Sequence, residues 1–267
     1  MATGKGKLAG KTAIVTGGGG AIGSDICKTF AREGAKVAVL DISGKAAART
    51  AAAIKKAGGK AIAIQCDVAD PAATESAVQE TFKTFKKLHI LVNVAAAPNV
   101  EGTVVEMAHE DWNRTMAVNL GGCFLMSKYA IPHMKKVGGA SIINIASQLG
   151  QLGVPGRSAY CTSKAAIILF TKILAMDHAK DKIRVNSLSP GAIDTPRSLG
   201  RYGTRANARR IRGPQYLMGR IGRTDEIAAG ALFLASDDCE FMNAADLLID
   251  GGYVAFKGGK TNAPSPT

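Results

Sequence analysis

Aromatic side chains make up only 5% of the 267 residues, with a single tryptophan. Acids are also scarce, 21 Asp and Glu against 34 Lys and Arg, for a formal net charge of +13. No uninterrupted apolar run approaches the roughly 18 residues that a membrane-spanning helix needs. The opening MATGKGKLAGK lacks the apolar stretch of a secretion signal. The expectation is a soluble chain of the cytoplasm with no membrane partner. Cysteine is sparse and scattered, at Cys27, Cys66, Cys123, Cys161 and Cys239, with no C-x-x-C pair, which makes a disulfide framework or a zinc knuckle a poor reading. The histidines His89, His109, His133 and His178 show no H-E-x-x-H spacing, so a zinc protease is equally poor and no metal site is expected. What is plentiful is apolar matter, 46% of residues, which excludes a wholly disordered chain.

The positive charge is localised. It sits at the two ends and in the segment 197–223, which carries Arg197, Arg201, Arg205, Arg209, Arg210, Arg212, Arg220 and Arg223 without one acid. The remainder balances. One basic strip without interleaved aromatics is a weak basis for nucleic-acid binding, and no nucleic-acid partner is expected.

Apolar strand patterns at 12–15, 37–40, 61–65, 90–94, 141–145, 183–188 and 246–249 alternate with helical patterns. A helix from the glycine run to Phe30 and helices at 46–56, 71–85, 111–136, 159–179 and 225–234 separate them. About seven strands joined by helices imply a parallel sheet covered on both faces, the α/β doubly wound Rossmann arrangement, as a single domain over 1–256. The stretch 195–216 is rich in Arg and Gly and lacks a clear apolar period, and 257–267 reads as a flexible tail.

Thr16-Gly17-Gly18-Gly19-Gly20-Ala21-Ile22-Gly23 follows the first strand and opens the first helix. Glycines let the backbone approach a pyrophosphate, and a helix start offers N–H groups and partial positive charge. Asp41 closes the second strand 18 residues beyond Gly23, where a carboxylate accepts from an adenosine ribose and repels a 2′-phosphate. Neither Ile42 nor Gly20 offers a compensating cation, so NAD(H) is favoured over NADP(H). Gly10-Lys11-Thr12 imitates the end of a P-loop, but it precedes its strand and Lys5 stands where the earlier glycine is required.

Tyr160 and Lys164 are four apart in a helical stretch and share a face. A free phenol, with a pKa of ~10, is a poor acid–base group at neutral pH. A nearby ammonium favours the phenolate. Taken alone, the pair also reads as an exposed polar couple on a helix.

The sequence resembles the short-chain dehydrogenase/reductase family from about Leu8 to Tyr253. The elements that carry the resemblance are TGGGGAIG at 16–23, Asp41, Cys66-Asp67-Val68, Asn93-Val94-Ala95-Ala96, Asn119, Ser147, Tyr160-Cys161-Thr162-Ser163-Lys164, Pro190-Gly191 and Asp250-Gly251-Gly252. The resemblance implies that Tyr160 exchanges a proton with the substrate oxygen and Ser147 hydrogen-bonds it. It implies that Lys164 binds the nicotinamide ribose and acidifies the phenol, and that Asn119 holds a water linking Lys164 to solvent. The implied NAD contacts are Gly17, Gly19, Ala21, Ile22 and Gly23 at the pyrophosphate, Asp41 and Ile42 at the ribose, and Asp67 and Val68 at the adenine. Asn93, Ala95, Pro190, Gly191, Ile193 and Thr195 would line the nicotinamide half with Tyr160 and Lys164. Ala21 replaces the family's second cradle glycine, and Val94 and Ala96 depart from its N-N-A-G run.

The resemblance places a substrate loop at about 192–216. Arg197, Arg201, Arg205 and Arg209 recur every four residues there, and form either a solvated face or a basic stripe that attracts an anionic substrate. Gln148, Gln151 and Arg157 are further polar candidates beside Arg197 and Arg201. The leading expectation is an NAD-dependent dehydrogenase of a small secondary alcohol or ketone, built as a homotetramer or homodimer. A 3-oxoacyl-[acyl-carrier-protein] reductase and a non-catalytic nucleotide-binding scaffold are the alternatives.

Overall fold

The computed structural model describes residues 6–196 and 202–256. Seven strands form one parallel sheet: β1 (Thr12–Thr16), β2 (Lys36–Asp41), β3 (Lys60–Gln65), β4 (Ile90–Asn93), β5 (Ala140–Ile145), β6 (Ile183–Pro190) and β7 (Asp246–Ile249). Their spatial order is β3-β2-β1-β4-β5-β6-β7. The chain winds outward from β1 to β3, then returns to place β4 on the other side of β1. The crossovers therefore diverge between β1 and β4, and a crevice opens beyond the carboxyl ends of these two strands. The expected doubly wound architecture is the one present.

Strand alternation divides the core in two. Ala13, Val15, Val37 and Val39 face one layer, with Ile26 and Phe30 of α1 (Ala21–Arg32), Ile54 of α2 (Gly44–Lys56) and Ile227 and Leu234 of a later helix. Ile14, Ala38, Leu40 and Leu91 face the other layer, with Val78 of α3 (Pro71–Phe85) and Met126, Leu174 and Ala175 from the helices that follow. Both faces being covered explains why the strands read as near-continuous apolar runs. Local signals agree: Asp70 accepts from the amides of Ala72 and Ala73 at 2.8 and 3.3 Å, with Pro71 next at the start of α3.

Two stretches differ from expectation. The helix anticipated at 111–136 is α4 (His109–Met116) and α5 (Gly122–Met134) joined by a π-turn over Ala117–Gly121. The inserted residue rotates Asn119 into the interior. The second difference is in the segment that lacked a period. Residues Arg205–Arg212 form a helix, capped by Thr204, whose hydroxyl accepts from the Asn207 amide at 3.1 Å. Its one buried residue is Ala208, so there is almost no apolar stripe for a sequence pattern to register. In chain order it is α7, after α6 (Ser158–His178) and before α8 (Thr224–Ala235). With the turn that follows, α6 is long and apolar enough by length and composition to match a membrane span (Ser158–Asp181), which a count of uninterrupted apolar residues does not register. In the fold its Ile167, Leu174 and Ala175 are buried, whereas Leu169, Ile173 and Met176 are exposed.

Candidate active site

The crevice is built from strand ends. At the end of β1 the buried Thr16 hydroxyl accepts from the amides of Val94 and Ala95 at 3.0 and 3.1 Å, tying the loop after β4 to the mouth of the glycine run. Gly17 follows at φ 61°, and a Cβ there would stand 3.0 Å from the Ala95 amide nitrogen. Only glycine meets both demands. The helix α1 then starts at Ala21 with Gly20 as its N-cap and no side chain capping it. Its first amides thus have no side-chain acceptor, which suits an anion. Asp41 stands across from this cradle. Its two carboxylate oxygens accept from the amides of Gly19 at 3.0 Å and Ser43 at 2.9 Å.

The other expected cofactor residues line the same edge. Asp67, beyond β3, accepts from the Ala69 amide at 2.9 Å, and the Val68 side chain is buried under α5, where Gly122 leaves it room. Asn93 donates to Asn144 Oδ1 at 2.8 Å, while its own Oδ1 is buried without a protein partner. Pro190 ends β6, and Ile193 bridges to Gly222 just beyond Gly191. An uncapped helix start, a glycine cradle that a Cβ would fill and an orphaned buried oxygen together fit a dinucleotide.

Beside the crevice, Lys164 is 2% exposed and donates to the Ile145 carbonyl at 2.7 Å. Its Nζ lies 5.8 Å from the centre of the half-buried Tyr160 ring. Ser147, two residues past Ile145, is 7% exposed, and its Oγ accepts from the Leu149 amide at 3.1 Å. The loop carrying Ser147 presses on α6, because a Cβ at Gly150 would approach the Lys164 carbonyl carbon to 2.8 Å. Asn119 accepts from the Ala97 amide at 2.9 Å and donates to Ser163 Oγ at 2.9 Å, and Ser163 donates to the Tyr160 carbonyl at 2.8 Å. Both polar ends of the Asn119 side chain are therefore engaged with protein. They brace α6 against the π-turn, a type of helix irregularity frequent at functional sites.

The expected substrate residues disperse. Arg197 and Arg201 lie outside the described residues. Gln151 donates to Asp246 at 2.5 Å and does not line the adjacent cavity. Gln148 is buried, with its amide group 3.1 Å from the Tyr216 hydroxyl. Arg157 does line a cavity of about 240 Å3 with Leu149, Val154, Thr195, Arg212 and Tyr253, and it pairs with Glu101 at 2.8 Å. Arg205 and Arg209 both bind Asp194, at 2.7 and 2.5 Å. Burial raises the Asp194 carboxyl, but the hydrogen bonds from Arg209 and Arg205 outweigh it and hold it below its ordinary value. Sequence reasoning missed Thr16 as a tie, Tyr253 at the cavity and Tyr216 beside Arg212, and it did not single out Arg212 from the rest of the basic segment. The one available signal was that Arg212 falls three residues after Arg209, out of the four-residue register of the stripe.

The fold and this edge define a Rossmann-type oxidoreductase. The chain belongs to the short-chain dehydrogenase/reductase family. Residues 19–254 match the family described as enoyl-(acyl carrier protein) reductase. An uncharacterized oxidoreductase of Thermotoga maritima is 41% identical, covering 92% of this chain and 98% of that protein. D-threitol dehydrogenase of Mycolicibacterium smegmatis is 37% identical over 92% of this chain and 94% of its own length. A crystal structure of a short-chain type dehydrogenase/reductase from Mycobacterium marinum superposes with a TM-score of 0.84, at 34% identity, over 92% of this chain and 96% of that one.

Proposed function

We propose that this protein is an NAD(H)-dependent dehydrogenase interconverting a small secondary alcohol and its ketone. The observation that carries the reading is the buried Lys164 ammonium, fixed by the Ile145 carbonyl beside the Tyr160 phenol and two residues from Ser147. A scaffold without catalysis has no use for a desolvated cation kept next to a phenol. Similar proteins are named for dehydrogenation of D-threitol, cyclopentanol and meso-2,3-butanediol, which supports chemistry at CH–OH groups.

Gly17, Gly19, Ala21, Ile22 and Gly23 would hold the pyrophosphate, Asp41 and Ile42 the adenosine ribose, and Asp67 and Val68 the adenine. Asn93, Ala95, Pro190, Gly191, Ile193 and Thr195 would border the nicotinamide. The bound cofactor supplies or accepts the hydride at its nicotinamide C4. Ser147 Oγ already accepts from Leu149, so its one O–H is left to donate to the substrate oxygen. Tyr160 gives its hydroxyl proton to that oxygen in reduction and takes one from it in oxidation. Lys164 stabilises the phenolate left behind. Asn119 keeps α6 in place through Ser163; its main-chain carbonyl accepts from the Cys123 thiol at 3.1 Å, and a water linking Lys164 to solvent would share that oxygen's second lone pair.

The cavity of about 240 Å3 suits a small substrate. An acyl-carrier-protein reductase would need the basic segment for docking, but Arg205 and Arg209 are already held by Asp194. The segment 192–216 serves as the substrate loop. The proposal includes a cytoplasmic homotetramer or homodimer, supported by the exposed Leu169, Ile173 and Met176 on α6 and Phe124 on α5. To test the reaction, purified protein is mixed with NAD+ and a panel of secondary alcohols while NADH absorbance is followed. The expected result is turnover that Tyr160→Phe lowers by about 10²–10⁴-fold with NADH binding retained. Full turnover in Tyr160→Phe overturns the reading.

A further inference from the structure

Two arginines, Arg157 and Arg212, line the cavity that begins two residues past Ser147 at Leu149, and their surroundings differ. Arg157 is 7% exposed and meets Glu101 at 2.8 Å, and its main chain bridges to Gly102. Its charge is matched, and it ties two loops at the rim. Arg212 is half-buried and forms no ion pair among the described residues. Its neighbours there are neutral: the Tyr216 hydroxyl at 3.3 Å and the Tyr253 ring, whose centre is 6.0 Å away.

The helix that carries Arg212 shows why. Arg205 and Arg209 are four apart, share one face of α7, and grip Asp194 there. Ala208 and Arg212 share another face, and both line the cavity. One basic helix thus anchors itself to the loop with one pair of positions and presents a cation to the cavity with another.

Tyr216 cannot neutralise Arg212. Its hydroxyl oxygen lies within hydrogen-bond reach of the Ala192 amide at 2.8 Å, the Gln148 side-chain amide at 3.1 Å and Arg212. A phenol oxygen accepts at most two hydrogen bonds and donates one. Gln148 Oε1, meanwhile, is buried without a partner. Turning the Gln148 amide over resolves both: Tyr216 donates to Gln148 and accepts from Ala192 and Arg212. The phenol is then saturated, and it offers Arg212 one acceptor for five N–H donors. Burial works against the charge of Arg212, but Tyr216, Tyr202 and Tyr253 outweigh it, and the group stays cationic.

We infer that Arg212 is a specificity-determining residue and that the alcohol substrate carries an anionic head, a carboxylate, which the Arg212 fork binds in the cavity that Leu149, Ile193 and Thr195 also line. A planar fork facing a cavity with no acid among its described lining residues is the arrangement that recognises a carboxylate by paired hydrogen bonds. Among the described arginines of α7, Arg212 lines the cavity while Arg205 and Arg209 are held by Asp194. This inference rests on the dehydrogenase reading above and adds the substrate class to it.

The test is steady-state oxidation, with NAD+, of 2- and 3-hydroxy acids of three to six carbons, each beside its primary amide, its phosphate ester analogue and the matching neutral diol. The wild type is expected to show kcat/KM at least tenfold higher for a hydroxy acid than for its amide, with the advantage falling as salt is raised. Arg212→Gln should cut the acid-to-amide ratio at least tenfold, mainly through KM. Arg212→Lys, which keeps a point charge, should restore part of it, and Arg210→Gln on the exposed side should leave the ratio unchanged. A thermal shift given by hydroxy acids to the wild type but not to Arg212→Gln reads binding without turnover. Preference for amides or diols, an unchanged ratio in Arg212→Gln, or preference for the phosphate ester over the carboxylate overturns the inference. Oxidation of neutral alcohols alone would leave the dehydrogenase reading standing while the anion reading falls. Thermal shifts by acids without any turnover would do the reverse.

Discussion

The Lys164 ammonium donates a hydrogen bond to the main-chain carbonyl of Ile145 at 2.7 Å, joining the first third of α6 to the last residue of β5. That bond places the cation, the phenol one helical turn before it and the hydroxyl two residues beyond Ile145 in one frame. Replacing Lys164 by Met leaves the carbonyl without its donor and the phenol without its cation. Turnover should fall by at least about 10²-fold. NADH formation assayed on the variant, with circular dichroism to verify folding, checks this.

Asp41 faces the cradle with its oxygens on the amides of Gly19 and Ser43. Removing the carboxylate in Asp41→Ala removes both the ribose acceptor and the repulsion of a 2′-phosphate. A charged hydrogen bond is worth about 1.5–3 kcal/mol. The KM for NAD+ should therefore rise by at least about tenfold, while the KM for NADP+ should fall. Parallel titrations with the two cofactors measure the ratio, and an unchanged preference for NAD+ would contradict the assignment.

Gly150 lets the Ser147 loop lie directly on α6. A methyl group there would stand 2.8 Å from the Lys164 carbonyl carbon and 2.9 Å from its oxygen, both main-chain atoms that cannot swing aside. Gly150→Ala should cost about 1–3 kcal/mol of stability and lower kcat together with Tm, because relief of the clash displaces Ser147. Calorimetry beside kinetics tests it. A variant with native Tm and native kcat would show that the loop yields at no cost.

Glu226 is the acid-sensitive brace of the region behind the cavity. Hydrogen bonding from Arg220 is the main reason its carboxyl falls from the ordinary 4.5 to about 2, helped by the Arg223 amide and opposed by burial. A carboxyl depressed in the folded state stabilises the protein above its unfolded pKa and loses that contribution as pH falls through the folded value. Glu226→Gln should be less stable than the wild type at neutral pH. The gap should close between pH 4.5 and about 2. Urea unfolding across that interval supplies the measurement.

The exposed Leu169, Ile173 and Met176 recur at helical spacing on α6. If this face joins subunits, Leu169→Glu with Met176→Glu should lower the mass in light scattering while the monomer stays folded. An unchanged mass would move the interface elsewhere.

Much of the crevice was legible before any coordinates. A glycine run between a strand and a helix, an acid at the end of the second strand and a tyrosine four before a lysine are local patterns. Local patterns survive in sequence because backbone geometry fixes their spacing. The cavity was less legible. Gln151, close to Ser147 in sequence, turns to Asp246, and Arg205 and Arg209 serve Asp194, since a polar side chain takes whichever partner the fold brings within reach. The helix Arg205–Arg212 left only its four-residue arginine spacing in the sequence, with no apolar period, because Ala208 alone is buried on it.

By itself the sequence determined the alternation of strands and helices, the parallel sheet, the glycine run between β1 and α1 and the Tyr160–Lys164 face, because each depends on periodicity or spacing within about one element. Only the tertiary structure decided which arginine beside the cavity has no acid paired with it among the described residues, which asparagine is buried in a π-turn and which hydroxyl ties β1 to the loop after β4. Those outcomes depend on distances between segments far apart in the chain, and charge pairing and hydrogen-bond saturation are settled by such distances.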